Sequence, residues 1–417
     1  TETIRFGVRV TTTKCLIDGG PTDTFLSFGR MPIANGFLTR EEIAHEYFFE
    51  LKVGFCPSSK MVELTELVDR ERMFHDNYAF FSSTSTRMAE HFKAFAAWVR
   101  EHYLAGGADP FVVELGSNDG IMLQHFARAG VRHLGVEPSA NVAQVARDKG
   151  IRSVSRFFDE DLAAAIVAED GQADALLGAN VMCHIPYLHS VFRGAKQLLK
   201  PSGVLVFEDP YLGDIVEKAS YDQIYDEHAF YFSASSVEKL SAMHELELLD
   251  VLRQPTHGGS MRYVIGHAGA RPVSPRVTAA LAAERELGLA EASTYARLRE
   301  RVEKSRTDLM ALLHELKSAG KRVAAYGATS KSTTVTNYCG ITPDLVSFVS
   351  DTTPIKQGKL TPGAHLPVVP YERFKAEPPD YTLLFAWNHA DEILEKERAY
   401  RAGGGRFILY VPEVHVV

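Results

Sequence analysis

The chain has 417 residues, 45% of them hydrophobic and 24% charged, with a formal net charge of -8. That length implies two or three domains rather than one. The composition excludes a disordered or fibrous chain, and the acidic balance excludes nucleic-acid binding through net charge while leaving room for a local basic pocket. No apolar run reaches the roughly 18–20 residues of a membrane span, and the first ten residues lack the apolar core of a signal peptide. The expectation is a cytoplasmic protein with no nucleic-acid or membrane partner, a monomer or small homo-oligomer.

In chain order, residues 1–76 hold short β-like runs (48–54, 61–67) separated by Gly, Pro and Thr, which predicts a small β-rich module with little core of its own. Helical spacing of Met88, Phe92, Phe95, Trp98 and Val99 predicts a helix over 88–104. Apolar strand candidates follow at 111–115, 131–136, 174–179 and 203–207 with helix-forming segments between them, the pattern of a parallel sheet covered on both faces. Residues 276–319, rich in Ala, Leu, Glu and Arg, read as one or two long helices. Strand and helix then alternate again, with strands at 322–326, 345–349, 381–385 and 406–411. The divisions expected are 1–76, 77–305 and 306–417. Cys15, Cys56, Cys183 and Cys339 include no Cys-x-x-Cys pair and are too sparse for a disulfide framework.

The first apolar strand ends in Glu114-Leu115-Gly116-Ser117-Asn118-Asp119-Gly120. Glycine there lets the backbone approach a ligand, but Asn118 stands where the dinucleotide fingerprint needs its second glycine, so a bridging pyrophosphate fits poorly. A nucleoside ligand fits better, since Glu137 at the end of the next strand is placed to accept hydrogen bonds from two ribose hydroxyls. The bland alternative is a glycine turn that closes the strand for packing alone. E-x-G-x-x-x-G with that acidic residue resembles the S-adenosylmethionine (SAM) site of the class I methyltransferases. The resemblance implies cofactor contacts from Glu114, Gly116, Asn118, Gly120, Glu137, Phe157, Phe158, with Asp159 beside the adenine, and from Asn180.

Further strings are CHIPY (183–187), FEDPYLGDI (207–215), QIYDEH (223–228), HGGSMR (257–262), YGATSKSTT (326–334), LTPGAHLPV (360–368) and LLFAWNHA (383–390). Together they resemble the sugar C-methyltransferases that act on nucleotide-linked 4-keto deoxysugars, over nearly the whole chain. The fold implied is a class I methyltransferase-like doubly wound α/β sheet in the middle, a second Rossmann-like α/β domain at the C-terminus, and the β-rich N-terminal module. The reaction implied is C-3 methylation of a dTDP-linked 4-keto deoxysugar through a base-generated enolate. A C-3 epimerase on the same fold and a non-catalytic nucleotide-sugar-binding relative are the alternatives.

By the same resemblance His228 is the base, with Tyr225 and His184 near the sugar oxygens, Glu227 orienting the histidine or touching the sugar, and Tyr78 closing the pocket. Tyr211, His257, Arg262, Thr329, Lys331, Tyr338, Asp351, Asn388 and His389 are the substrate-binding candidates. The glycine turn at 327–332 with Lys331 also suits a phosphate at a helix N-terminus on its own chemistry. The family implies a structural zinc in the N-terminal module, held by two Cys-x-x-Cys pairs. This chain has Cys15 with Asp18 and Cys56 with Ser59 at those positions, a poor set for zinc.

Overall fold

The computed structural model describes residues 2–5, 8–69 and 86–417. Three sheets organise the chain. The first is antiparallel: β1 (Glu2–Arg5), β2 (Val8–Lys14), β3 (Pro21–Pro32), β4 (Phe48–Cys56) and β5 (Met61–Leu64) lie side by side in that order.

The middle sheet contains β6 (Phe111–Leu115), β7 (Arg132–Val136), β8 (Ser153–Val154), β9 (Ala173–Ala179) and β10 (Leu199–Pro210). All five are parallel, in the spatial order β10-β9-β6-β7-β8. Their apolar runs are nearly continuous because helices cover both faces. The sixth strand of the first sheet is β11 (Phe230–Tyr231), which leaves the middle region to pair with β5, Phe230 opposite Glu63. Beyond it, β12 (Leu246–Gln254) and β13 (Ser260–His267) complete the middle sheet. There β13 runs antiparallel between β10 and β12. This is a doubly wound sheet with one antiparallel strand inserted near its edge, as the class I resemblance implies. Chain order reverses between β6 and β9, which opens a crevice at their carboxyl ends.

The third sheet has the order β16 (Val368–Val369), β15 (Val349–Ser350), β14 (Val323–Tyr326), β17 (Tyr381–Leu384), β18 (Arg406–Leu409), β19 (His415–Val416). Only β19 is antiparallel. Its crevice lies between β14 and β17 and faces that of the middle sheet. The strand expected at 345–349 is shorter and shifted, because Leu345 and Val346 sit in the turn before β15.

Two helices, Pro275–Leu287 and Ala292–Ser318, account for the segment 276–319. The second buries Tyr295, Leu298, Val302, Leu309, Leu313 and Leu316 in one stripe against apolar residues of the first and third sheets. The division expected between 305 and 306 therefore falls inside a continuous helix, where Ser305 belongs to the buried stripe. Among the described residues no helix is long and apolar enough to cross a membrane.

Asp222 ties the third sheet to the middle region. Fully buried, its Oδ2 accepts from Trp387 Nε1 (2.6 Å) and from the Tyr410 hydroxyl (2.7 Å). Burial pushes its carboxyl upward, opposed by the nearby Lys331 ammonium and these two donors. Asp222→Ala is expected to destabilise this joint by about 3–5 kcal/mol, as removal of one partner from a buried charged network does. Urea unfolding followed by tryptophan emission measures it, and an unchanged midpoint would remove the tie.

Candidate functional site

A cavity of about 370 Å³ lies between the facing crevices. Gly116 starts one wall at φ +59°, and a Cβ there would meet Val181 Cγ2 at 2.7 Å, so both backbone and space require glycine. The turn is braced by Glu137, whose Oε2 accepts from Asn118 N (3.0 Å) and Oε1 from Ser139 N (2.8 Å). Burial raises the Glu137 carboxyl while these amide donors pull it down. Gly116, Asn118, Glu137, Phe157, Phe158 and Asn180 all line the cavity. A carboxylate, an aromatic wall and a bare backbone turn fit a nucleoside with a small polar tail.

Two expected members of this wall lie elsewhere. A Cβ on Gly120 would strike Ile151 Cδ1 at 2.2 Å, so that glycine serves packing behind the turn. Glu114 is buried beneath it, its carboxyl pushed well up by burial and then by Glu137 and Asp119. Neither lines the cavity. Asp159 is the N-cap of the helix Glu160–Asp170, accepting from Leu162 N at 2.8 Å.

The opposite wall carries His184, Tyr225, Glu227 and His228. His228 Nδ1 bonds the Gln223 carbonyl at 2.8 Å, which fixes the proton on Nδ1 and the lone pair on Nε2 in the neutral ring. The His184 ring stacks at 5.3 Å and the Tyr225 ring lies 4.1 Å away, centroid to centroid. Burial first, then His184, Lys331 and His257, hold His228 well below the usual histidine range despite the Gln223 bond. Burial alone lowers His184 to about 4. The carbonyl of Gln223 thus orients His228, while Glu227 Oε1 accepts from Asn35 Nδ2 at 2.6 Å.

Thr329, Lys331, Asn388 and His389 contribute from the third sheet's crevice, with His257 beside them. Thr329 caps the helix Ser330–Cys339. Arg87, Arg156 and Lys331 are the Lys and Arg side chains lining the cavity among the described residues, and only Lys331 is buried. Its ammonium donates to the His257 carbonyl at 3.4 Å and lies 5.3 Å from the Trp387 ring centre.

Four substrate-side candidates do not reach the wall. The Tyr211 hydroxyl donates to Glu284 Oε1 (3.0 Å), with the Arg253 guanidinium over its ring. Arg262 donates to Glu208 Oε2 (2.8 Å) and stacks on Phe95. Tyr338 packs edge-on to Phe28 beneath Arg306. Asp351 braces the glycine turn by accepting from Ala328 N (2.7 Å). Tyr78 lies outside the described residues. Absent from the sequence-based set are Asn35, Gln223, Arg87, Met88 and Phe92, all on the wall. Gln223 opens the string QIYDEH without a role assigned to it there, and the helical period of Met88 and Phe92 marked only a buried face.

In the N-terminal module Cys15, Asp18 and Cys56 bring donor atoms within 4.8 Å of one another. The fourth place belongs to Ser59, whose hydroxyl is 3.3 Å from Cys15 Sγ. Cys56 Sγ is engaged by Asp18 (3.5 Å) and Ser58 (3.2 Å), and Cys15 by Glu63 (3.6 Å). Burial foremost pushes the Cys15 thiol up. Two thiols, a carboxylate and a hydroxyl do not fit a closed structural zinc centre.

Residues 255–412 match the C-methyltransferase C-terminal domain, 87–251 a methyltransferase domain, and 15–74 a zinc binding domain. The C-methyltransferase NovU of Streptomyces niveus is 35% identical over 394 residues, 94% of this chain and 93% of that protein. The chain belongs to the C-methyltransferase family. This enzyme is a SAM-dependent methyltransferase. The ubiquinone biosynthesis O-methyltransferase of Pasteurella multocida is 29% identical over 107 residues, 23% of this chain and 44% of that one. Among solved structures, the PH0226 protein of Pyrococcus horikoshii is 15% identical, covering 48% of this chain and all of that one at a TM-score of 0.36.

Glu137→Ala in the enzyme is expected to weaken SAM binding about 10- to 100-fold. A hydrogen bond to a charged group contributes about 1.5–3 kcal/mol, and the turn loses its brace as well. Titration calorimetry measures it, and an unchanged Kd would remove Glu137 from the cofactor site.

Proposed function

We propose that the enzyme methylates C-3 of a dTDP-linked 4-keto deoxysugar in the assembly of a natural-product sugar. The supporting observation is that a neutral, oriented imidazole and a buried ammonium share one cavity with the SAM wall.

Carbon methylation needs a carbon nucleophile. A hydrogen on carbon becomes acidic only beside a group that takes up the resulting charge, as a ketone does. His228 Nε2 carries the lone pair that removes the C-3 proton, and the Gln223 carbonyl keeps the ring in that tautomer. A positioned base of this kind contributes about 10²- to 10⁴-fold. The enolate oxygen meets Lys331, with Tyr225 and His184 as flanking hydrogen-bonding groups. Low polarity around these groups strengthens the attraction of ammonium for enolate. Bound SAM supplies the electrophilic methyl. Because the enolate is anionic and the sulfonium cationic, charge is lost along the reaction, and a wall that excludes water favours that loss. Glu227, held by Asn35, faces the sugar hydroxyls, and Thr329, Asn388 and His389 face the nucleotide side.

The direct test incubates the enzyme with a dTDP-4-keto deoxysugar in deuterated water, with and without SAM. A gain of one methyl with SAM, and deuterium at C-3 without it, are expected. Deuterium with inversion and no methyl in either arm would make the reaction an epimerisation. Removing the base, His228→Ala, should slow C-3 exchange about 10²- to 10⁴-fold while SAM affinity holds.

The pH profile gives an independent check. A base whose folded pKa is depressed stays in its active neutral form as pH falls. The acid limb of kcat/KM assigned to His228 therefore lies below the ordinary histidine value of 6.5. A limb at or above that value would exclude His228 as the base.

A further inference from the structure

Cys183 has no part in the reaction above, yet its Sγ and one ring nitrogen each of His184 and His228 lie within 4.8 Å of one another. The three donors come from two segments that the middle sheet brings together. Cys183 and His184 sit in the turn Met182–His184 after β9, and His228 precedes β11. Asp209 Oδ2 accepts from Cys183 N at 3.2 Å and holds that turn in place.

We propose that Cys183, His184 and His228 form a site for a thiophilic divalent cation of the zinc type, and that a cation bound there inhibits the enzyme by occupying the nitrogen that takes the substrate proton. The cation site stands on the geometry of the three donors. Its inhibitory effect rests on the reading of His228 as the base.

Tetrahedral zinc takes imidazole nitrogen at about 2.0–2.1 Å and thiolate sulfur at about 2.3 Å, which sets donors roughly 3.3–3.6 Å apart. Binding therefore has to bring the three donors to that spacing, with the His184 and His228 rings turning out of the stacked arrangement they hold at 5.3 Å. The bond from His228 Nδ1 to the Gln223 carbonyl is the outer contact that metal-bound imidazoles make, and it leaves Nε2 as the nitrogen to bind the cation. His184 and His228 line the cavity while Cys183 lies behind them, so the fourth position opens toward water or a substrate oxygen. That is the three-ligand, open-position pattern of accessible zinc sites, in contrast to the incomplete set in the N-terminal module. On binding, the Cys183 S–H bond breaks, a sulfur–metal bond forms, and one proton leaves to solvent.

The test uses the full chain freed of metal by a chelator and titrated with Co²⁺. Thiolate-to-cobalt charge-transfer absorption is expected, and Cys183→Ser should remove the component that saturates with the first inhibitory equivalent. Zn²⁺ should inhibit methyl transfer competitively with the sugar nucleotide and not with SAM. Cys183→Ser should keep basal turnover and raise the inhibitory Zn²⁺ concentration about tenfold or more. Absorption and inhibition both unchanged in Cys183→Ser would overturn the proposal. Loss of the absorption with no sugar-competitive inhibition in the parent enzyme would overturn the inhibitory role and, with it, the assignment of His228. If Cys183→Ser does not fold, His184→Gln reads the same absorption, and an unaltered spectrum there overturns the site.

Discussion

Everything in the cavity depends on the joint between Ala34–Asn35 and Asp226–Glu227. Asp226 Oδ1 accepts from Ala34 N at 2.8 Å, and Glu227 Oε1 from Asn35 Nδ2 at 2.6 Å. The third sheet's helix closes the same joint: Ser330 donates to Asn35 Oδ1 (3.0 Å), Thr333 to the Ala34 carbonyl (2.8 Å) and Thr334 to the Ile224 carbonyl (2.7 Å). Asp226 is buried, and burial together with the neighbouring Glu227 pushes its carboxyl up. A group so costly to bury persists only where its hydrogen bonds are made. The three bodies therefore meet at one polar knot next to the proposed base, and the spacing of the cavity walls follows from it.

Much of the fold was legible because it rests on short-range signals. Apolar strands that end in glycine marked both parallel sheets, and Glu137 could be placed because a strand end fixes where the next residue sits. What was not legible depends on direction and distance. Tyr211 and Arg262 lie on or just after strands at the correct sheet edge, but they turn toward Glu284 and Glu208, partners 73 and 54 residues away. Asn35 meets Glu227 across 192 residues and sits in an ordinary-looking loop, so no local pattern separates it from its neighbours. Strand β11 is two residues long, and its pairing with β5 leaves no periodic trace. The zinc-ligand positions were legible in the opposite sense: the sequence marked them as incomplete, and the hydrogen bonds of Cys15 and Cys56 show what occupies the thiols.

The electrostatics of the cavity are asymmetric by construction. On one side the Glu137 carboxyl lies behind a glycine turn with Glu114 buried beneath it, and burial pushes both carboxyls up. On the other, His184, His228, His257 and Lys331 crowd together with Asp222 as the buried counter-charge. Burial holds those imidazoles in their neutral form, so the Lys331 ammonium, with Asp222 close by, is the buried cation of that wall.

The pairing of β11 with β5 has a consequence for how separable these modules are. His228 lies two residues before a strand that belongs to the N-terminal sheet by hydrogen bonding and to the middle region by sequence. A recombination point drawn between the two by chain position leaves that sheet with an exposed edge and the imidazole's segment without its anchor. The structural unit that anchors His228 is therefore the N-terminal sheet together with residues 221–232.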